Sequence, residues 1–414
     1  MAISATPGGS LLLKATKHYR SIIVSIAMGM FSLVMGWSPV YAASRGPQLS
    51  ASAFILVDGA TGQVLAGRNV RSEFYPASIT KIMTAYLAIT RGWHKTVVVS
   101  RAAELQPGAS AYLVAGQRLP MPKVVTAMML VSGNDAAYAI AQTVAGSVPA
   151  FVRMMNAQAR AWGAPGIHFV NPNGLPNPHH VVSALGMAII AEHAMKNSIF
   201  ARIVDTKKST LPPDPHPRVY YNQNRLLYNY PGAVGIKIGY TIEAEETIVT
   251  AAKRHGLFLI GVLLHDTPQG LWPDARNLLT WGFNHFQTRP LITRGQNLGV
   301  LRVGHRKVPV MASQTVYDAV PRGVPSRVQW SLIGSHPKSR RLIKSGDKVG
   351  VAQIRLAGRP IGQISIQSMR RIKAPPPVVS YHWWWLLVPA AVGAALAVPK
   401  QRILKGLQRG ASRA

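Results

Sequence analysis

The chain has 414 residues, 48% of them apolar, which is enough for two packed domains and too apolar for wholesale disorder. It holds no cysteine, so a disulfide framework, a thiol nucleophile and a zinc site built on Cys ligands are excluded. Lys and Arg outnumber Asp and Glu 46 to 14 for a net charge of +32, but the basic residues are scattered. Scattered charge suits an anionic surface or an acidic medium at least as well as nucleic acid.

In chain order, Lys14, Lys17 and Arg20 precede an apolar stretch from Ser21 to Trp37, followed by Val40-Tyr41-Ala42-Ala43. That pattern is an export signal over 1–42 cleaved after Ala42; left uncleaved, the same stretch is a membrane anchor. Ala53–Val57 reads as a strand, Asp58–Gly62 as a turn, and Gln63–Ala66 as its hairpin partner. Helices are expected over Ile79–Thr90, Lys123–Ala145 with a break near Ser132, and Phe151–Trp162. Thr247–Ala252 and Leu257–Leu264 read as adjacent strands joined by Lys253-Arg254-His255-Gly256. Helices set between hairpins give an α+β domain with an antiparallel sheet over 43–290. Short strands at Leu298–Val303, Lys307–Ala312, Val328–Leu332, Val349–Arg355 and Gln363–Ile366 then form a small all-β domain over 291–373. Pro375-Pro376-Pro377 marks a stiff linker over 374–382. Trp383-Trp384-Trp385 opens an apolar run over 383–399, and a basic tail follows over 400–414. This end reads as a C-terminal membrane helix with a cytoplasmic tail, and both ends place the middle outside.

Three short motifs carry the chemistry. In Pro76-Ala77-Ser78-Ile79-Thr80-Lys81, Lys81 lies one helical turn beyond Ser78 and on its face. A serine hydroxyl needs a base, and a lysine serves if burial and a nearby cation keep it neutral. Ser132-Gly133-Asn134 supplies a hydroxyl to relay the proton and an amide to hold a substrate carbonyl. Gly235-Ile236-Lys237-Ile238-Gly239-Tyr240-Thr241 supplies the second cation in Lys237, with Gly239 allowing close backbone approach. The amides of Ser78 and Tyr240 would form the oxyanion hole.

These motifs, with Asp58–Gly62, Asn173-Gly174-Leu175, Asn224–Leu227 and Trp281-Gly282-Phe283, resemble the serine-type D-alanyl-D-alanine carboxypeptidases, low-molecular-weight penicillin-binding proteins. The resemblance spans most of 51–286. It implies a penicillin-binding/β-lactamase-like transpeptidase domain followed by the small all-β domain and the membrane helix. It implies catalytic Ser78, Lys81 and Ser132, and substrate-binding Asn134, Lys237, Gly239, Tyr240 and Thr241. No metal or organic cofactor is needed. The expected partners are peptidoglycan stem peptides, β-lactams and the cytoplasmic membrane, with no nucleic acid, and the expected location is the outer face of the bacterial cytoplasmic membrane.

Several positions depart from the family pattern. Ile238 replaces the threonine of Lys-Thr-Gly, and Gln223 and Phe258 stand where arginines are usual. Ala244-Glu245, with Glu246 beside it, replaces Ala-Gly. A lost hydrogen bond to a charged group is worth ~1.5–3 kcal/mol, so turnover is expected to fall ~10- to 100-fold unless another cation such as Arg225 compensates. Two other functions compete: a β-lactamase, for which Glu192 and Asn197 are the nearest match to the deacylating loop, and a non-catalytic wall-binding protein. His179-His180 reads as a loop pair, and Arg340-Arg341 and Arg370-Arg371-Lys373 as solvated charge.

Overall fold

A computed structural model describes residues 46–211, 218–303, 306–325, 327–334 and 342–373. The export signal, linker, membrane helix, basic tail and Arg340-Arg341 fall outside the described residues. Among those described, no helix is long and apolar enough to cross a membrane. The described residues divide into two compact units; one holds those before 297 with those of 312–331 and 352–364, and the other holds those of 297–311, 332–351 and 365–373.

The first unit is built on β1 (Ala53–Asp58), β2 (Val64–Arg68), β3 (Ala233–Thr241), β4 (Glu245–Arg254) and β5 (Leu257–Asp266). They form one antiparallel sheet in the order β3-β4-β5-β1-β2, which leaves β3 at an edge. Side chains alternate across a strand, and both faces here are apolar. Ile55, Val57, Val249, Ala251, Ile260 and Val262 face one core; Phe54, Leu56, Ile248, Ala252 and Leu259 face another.

The larger core is covered by α1 (Lys81–Gly92), α2 (Met121–Val131), α3 (Asn134–Ala145), α4 (Val148–Ala161), α5 (Ala184–Met195) and α6 (Ser198–Asp205). α1 is buried nearly all round, through Ile82, Met83, Ala85, Leu87, Ala88 and Ile89, the mark of a central helix. The opposite face packs on α7 (Leu271–His285) through Ala275, Leu278, Leu279 and Phe283. Ser147, Ser183 and Asn197 cap α4, α5 and α6 with side-chain oxygens.

Beyond α7 come β6 (Phe286–Ile292), β7 (Asn297–Val303), β8 (Arg306–Ala312), β9 (Val316–Pro321), β10 (Val328–Gly334), β11 (Lys348–Leu356) and β12 (Arg359–Ser368). β6 pairs with β9, and the others form a five-stranded sheet in the order β7-β8-β12-β11-β10. The strands expected here are present, each extended by one to six residues, Gln363–Ile366 the most, into Arg359–Ser368. β6 and β9 were not expected; each carries a proline, which masks a strand pattern.

Candidate active site

Ser78 stands on a single 3₁₀ turn, Ala77–Thr80, that runs straight into α1. The three-residue offset brings Lys81 Nζ to 2.9 Å from Ser78 Oγ. Nζ also donates to Asn134 Oδ1 at 2.7 Å and to the Asn173 carbonyl at 2.5 Å. Both of these partners can only accept. A neutral amine has two N–H donors and one lone pair, so once Lys81 gives up a proton these two acceptors take both donors and leave the lone pair for the Ser78 hydroxyl. Lys81 is 0% exposed. Burial holds its pKa well below the ordinary value, the Lys237 cation adds to the lowering, and Asp135 opposes it.

α2 ends in Ser132, whose φ of 64° and ψ of 25° are left-handed, and α3 begins two residues later at Asn134. A side chain at Gly133 would meet Asp135 Oδ1 at 2.7 Å and the Ala111 amide at 2.8 Å, so the turn needs its glycine. Left-handed backbone at a non-glycine residue costs ~1 kcal/mol or more, and here it delivers a hydroxyl between two helices. The buried Ser132 makes no side-chain hydrogen bond among the described residues. Asn134 is anchored at both ends within the fold, with one of its two Nδ2 protons left over for a substrate carbonyl. Oδ1 accepts from Lys81 and Nδ2 donates to the Pro107 carbonyl. Asp135 accepts from the Ala111 and Leu113 amides and the Ser110 hydroxyl, pinning the 110–113 loop beside the motif.

The third motif lies on edge strand β3. Its register sets Lys237 opposite Val249 and Gly239 opposite Thr247, so both face the helices that carry Ser78. Lys237 is 2% exposed, donates to the Ile238 carbonyl at 2.9 Å, and burial lowers its pKa to about 7. A Cβ at Gly239 would lie 2.5 Å from the Ser78 amide nitrogen, so only glycine lets the strand run against the serine. The Thr247 hydroxyl lies 3.0 Å from the Pro76 carbonyl and 3.1 Å from that of Gly239, tying strand to turn. Tyr240 is largely exposed. The Thr241 hydroxyl accepts from the Ala244 amide and serves the β3–β4 turn.

A loop under the serine completes the site, and the motifs gave it no role. Asn171 Oδ1 accepts from the amides of Asn173, Gly174 and Leu175. This folds Gly174 at φ +87°, where a Cβ would lie 1.8 Å from the Ala77 carbonyl oxygen. Asn173 contributes a main-chain carbonyl to Lys81, which leaves no side-chain signature to find.

The departures fall in different places. Ile238 alternates to the opposite face and packs with the α7 cluster. Phe258 pairs with Lys253, six residues along β4 from Thr247 and so ~20 Å along the strand from the threonine that ties the sheet to the serine turn. The expectation that position 258 weakens the carboxylate pocket is therefore corrected. Gln223 does lie beside the site, its amide donating to the Leu130 carbonyl on the last turn of α2. Arg225 lies over the Trp272 ring at 5.4 Å and lowers the pKa of Glu246, which burial and Asp266 raise. Glu245 takes φ +52° where the family pattern has glycine. Glu192 is on α5, paired with Lys196, and Asn197 caps α6, so neither forms a deacylating loop.

A serine backed by a buried lysine whose pKa is lowered, with a second buried lysine on a sheet edge, defines an acyl-transfer enzyme of the S-x-x-K class. Residues 40–267 match the D-alanyl-D-alanine carboxypeptidase family, and residues 286–374 match the penicillin-binding protein 5 C-terminal domain. The chain belongs to the D-alanyl-D-alanine carboxypeptidase family. It is 28% identical over 334 residues to a D-alanyl-D-alanine carboxypeptidase of Bacillus subtilis, covering 78% of this chain and 86% of that one. A carboxypeptidase of the same description from Mycobacterium tuberculosis is 34% identical over 244 residues, covering 57% and 84%. The structure of penicillin-binding protein 5 from Haemophilus influenzae superposes with a TM-score of 0.66 at 26% identity, covering 82% of this chain and 100% of that one.

Proposed function

We propose that this protein is a serine-type D-Ala-D-Ala carboxypeptidase that trims peptidoglycan stem peptides through an acyl-Ser78 intermediate, and that penicillins acylate the same serine. The observation that carries the reading is the Lys81 amine, fully buried, with Nζ 2.9 Å from Ser78 Oγ and its pKa pulled down by burial and by Lys237.

In acylation, Lys81 takes the Ser78 proton while Oγ attacks the carbonyl of the penultimate residue. The Ser78 and Tyr240 amides stabilise the oxyanion. As the C–N bond breaks, Ser132 passes its proton to the departing D-Ala amine and is resupplied by Lys81. In hydrolysis, a water gives its proton to Lys81 and attacks the acyl carbonyl, and Lys81 returns the proton to Ser78 Oγ. The Lys237 cation faces the terminal carboxylate of the substrate.

Export and anchoring belong to the same proposal. They rest on the basic and apolar pattern of 14–43, the tryptophan-led apolar run of 383–399, and the basic tail. Release of D-Ala from an acyl-D-Ala-D-Ala peptide, followed with D-amino acid oxidase, tests the activity. Steady release that Ser78→Ala abolishes is expected. No release by the intact protein between pH 4 and pH 9 would leave the non-catalytic wall-binding alternative in its place.

A further inference from the structure

His180 has no part in the scheme above, yet it is almost fully buried behind the nucleophile, with its ring edge against Phe169. Its Nε2 lies 3.1 Å from Thr80 Oγ1, and the Val170 amide donates to its Nδ1 at 3.4 Å. Because Nδ1 is the acceptor, the ring proton sits on Nε2 and is donated to Thr80. Burial, helped by the nearby His168 and Lys81, lowers the pKa to about 3, so the ring is neutral at higher pH.

Thr80 lies between Ser78 and Lys81 at the N-terminus of α1. A threonine there ordinarily turns its hydroxyl onto its own helix's free amides. Here neither the 3₁₀ turn nor α1 has a side-chain cap, and the Thr80 hydroxyl oxygen accepts from His180 instead. The same loop grips neighbouring positions: the Asn173 carbonyl takes Lys81 Nζ, the Pro172 carbonyl takes the Thr84 hydroxyl, and Gly174 abuts the Ala77 carbonyl.

We propose that His180 is a positioning residue whose Nε2–H, through Thr80, holds the turn that sets Ser78 Oγ against Lys81 Nζ. The proposal rests on the reading of Ser78 as a penicillin-acylated nucleophile.

The test is stopped-flow acylation by a fluorescent penicillin, resolved into a binding constant and a limiting rate, for the wild type, His180→Leu, His180→Gln, Thr80→Val and the Leu/Val double variant. A misplacement of ~1 Å costs ~100-fold, so His180→Leu and Thr80→Val are each expected to lower the limiting rate ~10- to 100-fold with binding changed less than ~3-fold. His180→Gln, which keeps an N–H donor, is expected to recover most of the rate, and the double variant to be no slower than either single one. Thr80→Val, nearly isosteric, carries the test if His180→Leu fails to fold. A wild-type rate in Thr80→Val, losses that multiply in the double variant, or a glutamine variant as slow as leucine would overturn the proposal. A wild type that takes no penicillin would overturn the underlying reading, and the proposal with it.

Discussion

Lys237→Met is expected to make the protein more stable and less active, and the size of the gain follows from the burial of the amine. Its pKa is about 7 in the fold against an ordinary 10.5. Between those values the unfolded chain holds a proton that the folded chain lacks, so stability rises with pH through that window. Below about pH 7 both states are charged and the whole cost of the buried cation is present, about 4–5 kcal/mol at 1.36 kcal/mol per pKa unit. Methionine matches the length of lysine without the charge, and about 1 kcal/mol is returned because the Ile238 carbonyl loses its donor. The net gain of about 3 kcal/mol at pH 5 corresponds to ~6–12 °C in Tm for a domain of this size. Calorimetry of both proteins at pH 5 and pH 10.5 measures it, and the gain should shrink toward zero at the higher pH. A variant no more stable than the wild type at pH 5, or a difference independent of pH, would refute the account of Lys237 as a buried, strained cation.

The same pair of lysines sets the pH dependence of acylation. The rate constant should rise as Lys81 loses its proton and fall through about pH 7 as Lys237 loses the charge that meets the carboxylate. A rate–pH profile that keeps climbing to pH 9 would contradict this and would count against an acidic working environment. Gly174→Ala should cost at least ~3 kcal/mol of stability and most of the acylation rate, since its Cβ falls 1.8 Å from the Ala77 carbonyl at a φ of +87°. Thermal melting with a penicillin-binding assay checks it, and near-wild-type behaviour would show that the loop is not packed on the serine turn.

Much of the catalytic domain was legible because its elements carry unambiguous periods. β1 is a continuous apolar run that the Asp58–Gly62 turn returns as a hairpin, and β4 and β5 are apolar runs joined by a turn centred on Arg254-His255-Gly256. The long helical stretch was seen to break at Ser132, where the chain turns left-handed. Of α5 only the end was legible, Glu192–Asn197 reading as helix; the rest is nearly all apolar and lacks the stripe that marks a surface helix. β3 registered only as a motif, because Gly235 and Gly239 interrupt its strand pattern.

At the site, side chains that act by identity could be picked out, whereas contributions made by backbone or packing could not. Asn173 acts through its carbonyl, Gly174 through the side chain it lacks, and Thr247 by tying two carbonyls across the sheet. His180 was set aside as a loop histidine, since nothing in the sequence tells that it reaches Thr80 one hundred residues earlier. Position 258 shows the converse error. Its place in the sequence is where an arginine is usual, and only the strand register shows how far along the sheet it lies from Thr247.

The central claim is that Lys81 keeps Ser78 poised as a nucleophile, and intact mass after incubation with a penicillin tests it most directly. The wild type should gain the mass of one penicillin, retained for minutes or longer, while Ser78→Ala gains none. An adduct that forms and vanishes within seconds would indicate a β-lactamase. No adduct from pH 4 to pH 9 would contradict the claim that this serine is active.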